Sequence, residues 1–182
     1  MKANKLKLNP EKTHMMLIGT KQGIDSFQEH LRVKMGSAQI AENTDKCELL
    51  LGCTIQCDLK WNSQISMVSS KLSKRISALS NLQFIMPFKI LKQIAEGVVN
   101  SILVYCLPLY GGCDTGQLRE LQILQNKAAR IVFRAPPSAN RDDMFKKLKW
   151  MSVNQLVVYH SLILIFRIRR ARISSNYTWI RK

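Results

Sequence analysis

The spacing of apolar residues changes at Trp61, and this change limits the folds that the chain can adopt. Before Trp61, apolar and polar residues alternate or form short apolar runs, a pattern typical of strands and turns. After it, apolar residues recur every three or four positions, as on the buried face of a helix. The sequence therefore predicts an α+β fold, with a small, incomplete antiparallel β region over residues 1–60 and a bundle of about five helices after it.

The β region is predicted from three segments: residues 13–18, residues 31–35 with a hairpin return over 38–41, and residues 47–55. The first should be a mostly buried strand that stops at Gly19, and Gly36-Ser37 should form the turn of the second. Gly52 interrupts the third, which indicates a bulge or a close approach of backbone. So few strands should either pack on the helices or form the edge of a larger sheet. Their exposed edges also favour self-association.

The helical region contains start and stop signals. Helices are predicted to begin at Asn62 or Ser63, at Pro87, at Asp114 or Thr115, at Asn140 and at Val153. Pro136-Pro137 ends the third helix and divides the region into residues 61–135 and residues 136–182. The apolar run over residues 156–166 is too short to span a bilayer, so we predict a core helix there and expect no membrane partner.

Positive charge is concentrated in the helical region. The chain carries 28 Lys and Arg against 12 Asp and Glu, a net charge of +16, and residues 61–182 hold 19 of the basic but only 5 of the acidic residues. Such an excess favours a polyanionic partner, nucleic acid ahead of an anionic membrane surface. The alternative is a solvated charged face. The candidate nucleic-acid-binding residues lie beside the apolar stripes of the first and third helices: Lys71, Lys74, Arg75, Lys127, Arg130 and Arg134.

Two further features have ordinary structural explanations. The basic run over residues 167–172 is the densest in the chain, but cations also suit the C-terminal end of a helix. The acidic pair Asp142-Asp143 should lie in the first turn of a helix, where negative charge is favourable, and it lacks the third carboxylate of a two-metal site.

No catalytic or metal-binding arrangement is predicted. Residues 19–23 contain two glycines, but they lack the following helix that a phosphate-binding loop requires. The five cysteines and three histidines do not have zinc-type spacing. An odd number of thiols favours a reducing, intracellular compartment, the cytoplasm or nucleus, over a disulfide framework.

Five short motifs follow one another along nearly the whole chain. They are NKLKLNPEKT at residues 4–13, LGCTIQCDLKWN at 51–62, VYCLPLYG at 104–111, LQILQNKAARIV at 121–132, and a segment over 148–166 that begins LKW and includes YH. Together they resemble the C-terminal part of the reverse transcriptases of LINE-type, jockey-like non-LTR retrotransposons, with Tyr110 where tryptophan is usual. The resemblance implies a fragment of an RNA-directed DNA polymerase. Residues 1–60 would be the end of the palm, 61–135 a thumb-like bundle and 136–182 a C-terminal helical extension.

The resemblance also implies roles for single residues. Leu51, Gly52 and Cys53 match the primer grip, whose glycine lets backbone approach the primer. Lys12 matches the family's motif lysine, which faces pyrophosphate and would be a relic here. The phosphates of a template-primer duplex would be tracked by Lys71, Lys74 and Arg75.

The family's palm aspartates, which hold Mg²⁺, would precede Met1. We therefore expect no catalytic residue, no metal site, no cofactor and no polymerase activity in this chain alone. The palm and fingers of the parent polymerase would be its natural partner.

Two hypotheses of different class follow. In the first, the chain is a thumb-like fragment that binds RNA or an RNA/DNA duplex without sequence preference. In the second, it is a degenerate or domesticated protein-interaction fragment whose basic half reflects ancestry alone.

Overall fold

The computed structural model describes residues 9, 13–28, 33–35, 38–39 and 47–174, to which all structural statements below refer. The chain has the predicted α+β fold. It forms two compact units, Met1–Gln64 and Ile65–Lys182, which we call the N-terminal unit and the helical unit.

The N-terminal unit contains two antiparallel hairpins and a short helix. Strands β1 (Lys34–Met35) and β2 (Ala38–Gln39) form the first hairpin, β3 (Cys47–Leu50) and β4 (Cys53–Gln56) form the second, and helix α1 covers Lys21–Gln28. Met35 lies opposite Ala38, so the predicted pairing of the first hairpin is confirmed. Residues 31–32, 36–37 and 40–41 of that prediction lie outside the described residues.

The strand predicted over residues 13–18 is wrong. Within that segment Met15 alone forms a strand-type bridge. Gly19, where the strand should stop, donates its backbone N–H to the Cys57 carbonyl at 3.0 Å. Alternation of apolar and polar residues describes side-chain placement only, whereas a strand also requires a backbone ladder with a neighbour.

A second correction concerns the segment after Gly19, where the sequence analysis expected no helix. Thr20 caps α1, because its Oγ1 accepts a hydrogen bond from Gly23 N at 3.2 Å and its carbonyl accepts one from Ile24 N at 2.9 Å. A threonine at this position is a common N-cap, so the signal was present in the sequence.

Gly52 lies in a hairpin turn and not in a bulge. Strands β3 and β4 pair without an extra residue, and Leu51 and Gly52 join them with φ angles of 49° and 80°. Two consecutive positive φ angles are the mark of a type I′ turn, which suits the twist of a two-residue hairpin. The apolar run over residues 47–55 therefore forms two strands. The turn was not predicted because Leu51 is as apolar as the strand residues beside it.

The helical unit contains all five predicted helices. The first, α2, spans Asn62–Leu82 and begins at the end of the N-terminal unit. The second consists of α3 (Phe88–Ala95), a π-helical turn (Glu96–Asn100) and α4 (Ser101–Val104). The other three are α6 Thr115–Phe133, α7 Arg141–Leu148 and α8 Val153–Ser174. The predicted caps Asp114 and Asn140 accept hydrogen bonds from Gly116 N and Asp142 N. A short helix α5, Leu107–Tyr110, was not predicted. The extended backbone of Tyr105 ends α4, and Cys106, with a φ of 57°, precedes α5 as its N-cap residue.

Helix α6 is central, because it packs against α3, α7 and α8. Its buried side of Leu121, Gln125, Ala128 and Val132 faces these neighbours. The apolar stripe predicted for α2 is also buried, and it consists of Ile65, Val68, Leu72, Ile76 and Leu79.

Helices α5 and α8 approach each other closely at Gly111. The preceding Tyr110 is fully buried, and its hydroxyl donates a hydrogen bond to the Leu103 carbonyl at 2.7 Å. A Cβ at Gly111 would lie 2.7 Å from the Leu107 carbonyl oxygen and 2.8 Å from Val157 Cγ1. Only glycine fits this contact without displacement of α8.

We therefore expect Gly111→Ala to lower the free energy of unfolding by about 1–3 kcal/mol, the usual cost of overpacking. The matched control is Gly112→Ala, because a Cβ at Gly112 meets no atom within 4 Å. It should change stability by less than about 0.5 kcal/mol. Urea unfolding of the two variants measures the difference, and equal stabilities would contradict the close contact.

Candidate nucleic-acid interface

The three predicted cations of α2 are exposed but do not form one row. Lys71, Lys74 and Arg75 lie at the surface of the helical unit. At about 100° per residue, Lys71 and Arg75 flank the buried stripe on one side, while Lys74 lies almost opposite it. The three side chains therefore spread over roughly 100° of the circumference of the helix.

Helix α6 carries a more regular row of cations. Arg119, Lys127 and Arg130 lie within about 80° of one another on the side opposite Leu121 and Gln125, at about 100° per residue, and Arg134 follows as the C-cap residue of the helix. At about 1.5 Å per residue, the row extends over roughly 22 Å. We call these four residues the α6 basic row. The sequence analysis missed Arg119, although its position on the helical wheel would have identified it.

The members of the α6 basic row differ in environment. Lys127 is exposed, whereas Arg130 is half-buried and its Nε has no hydrogen-bond partner among the described residues. Arg134 follows the last turn of α6 with a φ of 52°, and its Nη2 donates a hydrogen bond to the Met86 carbonyl at 2.9 Å. Arg134 thus holds the segment after α2 in place while its remaining N–H groups can serve an anion.

Few carboxylates neutralise the cations of the helical unit. Among the described residues 65–170, ion pairs join Lys92 to Glu96 at 3.6 Å and Arg141 to Asp142 at 2.8 Å, and no other basic residue is paired. Exposed Lys146, Lys147 and Lys149 near the end of α7 add to the unpaired charge, and the sequence analysis did not single them out. The surface therefore offers many cations to an anionic partner.

The acidic pair Asp142-Asp143 has the predicted position in the first turn of α7. Asn140 Oδ1 caps this turn by accepting from Asp142 N at 2.8 Å, and Arg141 donates two hydrogen bonds to Asp142 Oδ1. Within the part of the chain that the structure describes, no three His, Cys, Asp or Glu side chains come together as a metal-binding group.

The segment that resembles a primer grip forms the tip of the β3–β4 hairpin. Leu51 is 86% exposed in the turn, Gly52 completes it, and Cys53 is buried at the start of β4. Strand β4 is tied to the start of α2, because Gln64 Oε1 accepts from Thr54 N at 2.8 Å and Gln56 Oε1 accepts from Ser63 N at 2.9 Å. Lys12, the motif lysine, lies outside the described residues.

Several motif residues of the helical unit have structural roles. Gln122 accepts from Val153 N at 2.8 Å, and Gln125 donates to the Met151 carbonyl at 2.9 Å, so both bind the start of α8. Trp150 donates from Nε1 to Glu96 Oε1 at 3.2 Å and meets the Phe145 ring edge-on at 6.1 Å. These residues hold the helices together and do not form part of a reactive site.

A cavity of about 630 Å³ lies in the N-terminal unit between the start of α1 and residues 57–60. Lys21 and Lys60 line it, but Lys60 pairs with Asp58 at 3.6 Å. The N-cap Thr20 already satisfies one of the backbone N–H groups that a phosphate would bind.

All five cysteines are free thiols, with Cys53 buried and the others half-buried. Burial raises the pKa of the Cys113 thiol above its ordinary value, because the thiolate is poorly solvated there. The thiol form of Cys113 therefore prevails at neutral pH, which lowers the nucleophilicity of this side chain.

No single helix among the described residues has the length and apolar character needed to cross a membrane. Only Arg141–Leu148 and Val153–Arg170 taken together, across a bend of 40°, reach that length and composition.

The conformation of Leu51 yields a prediction about the hairpin tip. A leucine in the left-handed region is strained, and its exposed side chain gains no burial in return. Leu51→Asn should therefore stabilise the hairpin by about 0.5–1 kcal/mol, since asparagine tolerates this conformation. Leu49→Asn, at an exposed position within β3, should not stabilise it. Hydrogen exchange of the β3 and β4 amides measures both effects, and exchange should be slower in Leu51→Asn than in the wild type. Faster exchange would contradict the inference that Leu51 is strained.

Comparisons with protein-family models, with curated proteins and with solved structures give no match to this chain, so its function has to be inferred from its own residues.

Proposed function

We propose that the helical unit binds RNA or an RNA/DNA duplex without sequence preference, and that the chain descends from the C-terminal part of a LINE-type reverse transcriptase. One observation carries the proposal. The exposed cations of the helical unit are almost all without carboxylate partners among the described residues. Unpaired cations are the groups that bind phosphates and release condensed counterions.

The α6 basic row supports this function by its geometry. A strand in B-form geometry advances about 3.4 Å per nucleotide along the helix axis, so a row of roughly 22 Å spans the rise of about six nucleotides, and each of its four cations can contact one of their phosphates. Phosphate contacts position a nucleic acid but do not read its sequence. The proposal therefore includes no base-specific recognition.

The proposal does not include the polymerase reaction of the family that the sequence resembles. In the family that the sequence resembles, Mg²⁺ and the palm aspartates carry the polymerase step. We propose no catalytic step and no cofactor for this chain. Leu51, Gly52 and Cys53 of the β3–β4 hairpin would correspond to the primer grip, and Lys12 would be a relic of the catalytic site. An intracellular location, in the cytoplasm or nucleus, is part of the proposal and agrees with five free thiols.

The test is a binding titration of the full chain with a labelled RNA/DNA hybrid of about 20 base pairs. If the four residues of the α6 basic row each bind a phosphate, affinity should fall on the order of 100-fold between about 50 and 200 mM salt. A flat salt response, or no binding by folded protein, would reject the proposal.

Charge-matched variants test the location of the site. The double variant Arg119→Gln, Lys127→Gln should reduce the slope of log affinity against log salt by about two. The control Lys21→Gln, Lys34→Gln removes two exposed cations of the N-terminal unit, neither of which has an ion pair within the described part of the chain, and should leave the slope unchanged. Equal losses in both double variants would mean that total charge, and not the α6 basic row, determines binding.

A second function has one specific observation in its favour. Helix α8 exposes an apolar face formed by Val158, Tyr159, Leu162, Ile165 and Phe166. The opposite side of α8, with Val153 and Leu156, is buried. An uncovered face of this size is typical of a protein-interaction surface. A folded chain that binds no nucleic acid would favour this second function.

A further inference from the structure

The segment between α2 and the start of α3 exposes three large apolar side chains, Phe84 and Ile85 more than Phe88. We call residues 83–88 the aromatic turn. Phe84 is 81% exposed and Ile85 is 74% exposed, although burial of either side chain would stabilise the fold. In contrast, the Phe88 ring lies 5.3 Å from the Phe133 ring of α6. The chain therefore anchors one phenylalanine of this turn and leaves the other in solvent.

Hydrogen bonds fix the backbone of the aromatic turn. Ile85 N and Met86 N both donate hydrogen bonds to the Leu82 carbonyl, at 3.1 and 2.9 Å. Pro87 then starts α3, and Arg134 binds the Met86 carbonyl from α6. Because contacts on both sides hold the turn, the exposure of Phe84 belongs to a fixed conformation and not to a frayed helix end.

Two cations lie on or beside the aromatic turn. Met86 is two residues from Phe84, so the Arg134 guanidinium bound to the Met86 carbonyl lies within about two residue lengths of the Phe84 backbone. Lys89 is exposed in the first turn of α3. The sequence has no Asp or Glu between residues 83 and 95 that would neutralise them.

The combination of an exposed ring and unpaired cations identifies one kind of occupant. An unpaired base can stack on an aromatic side chain while its flanking phosphates bind nearby cations. The exposed apolar side chains in and next to the turn are Phe84, Ile85, Phe88 and Ile90. These four are too few for a stable protein interface, which buries about 1,200–2,000 Å² in total. The α6 basic row ends at Arg134, so phosphates that follow the row reach the aromatic turn.

We propose that Phe84 is a stacking platform for an unpaired base of a single-stranded nucleic acid, with Arg134 and Lys89 binding the adjacent phosphates. This inference rests on the proposed function and adds a preference to it. An unpaired strand, or the single-stranded end of a duplex, offers a base face that a blunt duplex lacks.

The experiment compares binding of the full chain to a labelled oligo(dT) of about 20 nucleotides and to a blunt hybrid duplex of the same length. Phe84→Leu removes the ring but keeps an apolar side chain, so affinity for oligo(dT) should fall about 5- to 100-fold, the range for loss of one stacked base. Affinity for the blunt duplex and the salt slope should not change, because no phosphate contact is lost. Phe84→Trp should restore the affinity for oligo(dT).

Two control variants separate stacking from general hydrophobicity. Ile85→Ala changes the neighbouring exposed side chain, and Phe27→Leu changes an exposed phenylalanine of the N-terminal unit. Both should bind oligo(dT) as the wild type does. Because Phe84 is exposed, its variants should keep the circular dichroism and melting temperature of the wild type.

Each other outcome has a distinct meaning. If the wild type binds with the expected salt dependence but Phe84→Leu binds oligo(dT) equally well, the platform is rejected and the proposed function stands. If the wild type binds neither nucleic acid, both proposals fail. If Phe84→Leu instead weakens binding to vesicles of phosphatidylserine while oligo(dT) binding is unchanged, the ring serves a membrane surface and the platform is likewise rejected.

Discussion

The arrangement of the helical unit depends on the buried amide of Gln125. This side chain accepts a hydrogen bond from Gln122 and donates one to the Met151 carbonyl, and Gln122 in turn accepts from the first backbone N–H of α8. A buried amide without these partners would cost about 1–3 kcal/mol, so α6 is held in one rotation about its axis. That rotation places Leu121 and Ala128 in the core and directs the α6 basic row outward.

The motifs that resemble a reverse transcriptase are, in the helical unit, mostly packing residues. Tyr110 is hydrogen-bonded in the core, Gly111 permits the contact with Val157, and Trp150 binds Glu96. The cations proposed to bind nucleic acid lie on the outer side of the same scaffold. The motif over residues 121–132 contains Gln125, which fixes the packing of α6 through its buried hydrogen bonds. The same motif thereby orients Lys127 and Arg130, which do not form such hydrogen bonds in the core.

The helices could be predicted from the sequence better than the strands. Helical periodicity and caps identified α2, α6, α7 and α8, because each is a local property of consecutive residues. The strand predicted over residues 13–18 failed because pairing requires a distant partner. Gly52 was assigned to a bulge or a close approach of backbone, because an apolar run does not mark its own turn. Of the candidate site, exposed cations such as Lys71 and Lys127 were found, whereas Arg119 was overlooked and the tether of Arg134 to Met86 could not be anticipated.

The sequence by itself determined the excess of positive charge, its location after residue 60 and the periodicity that makes the helices amphipathic, because these depend only on the order of residue types. The tertiary structure decided which polar groups are consumed in holding the helices together and which remain at the surface. Gln125 is fully buried and Phe84 is exposed, the reverse of what their polarities favour. The reason is that burial depends on the neighbouring helices, and hydrogen bonds to Met151 and Met86 are formed only when α6, α8 and the aromatic turn have come together.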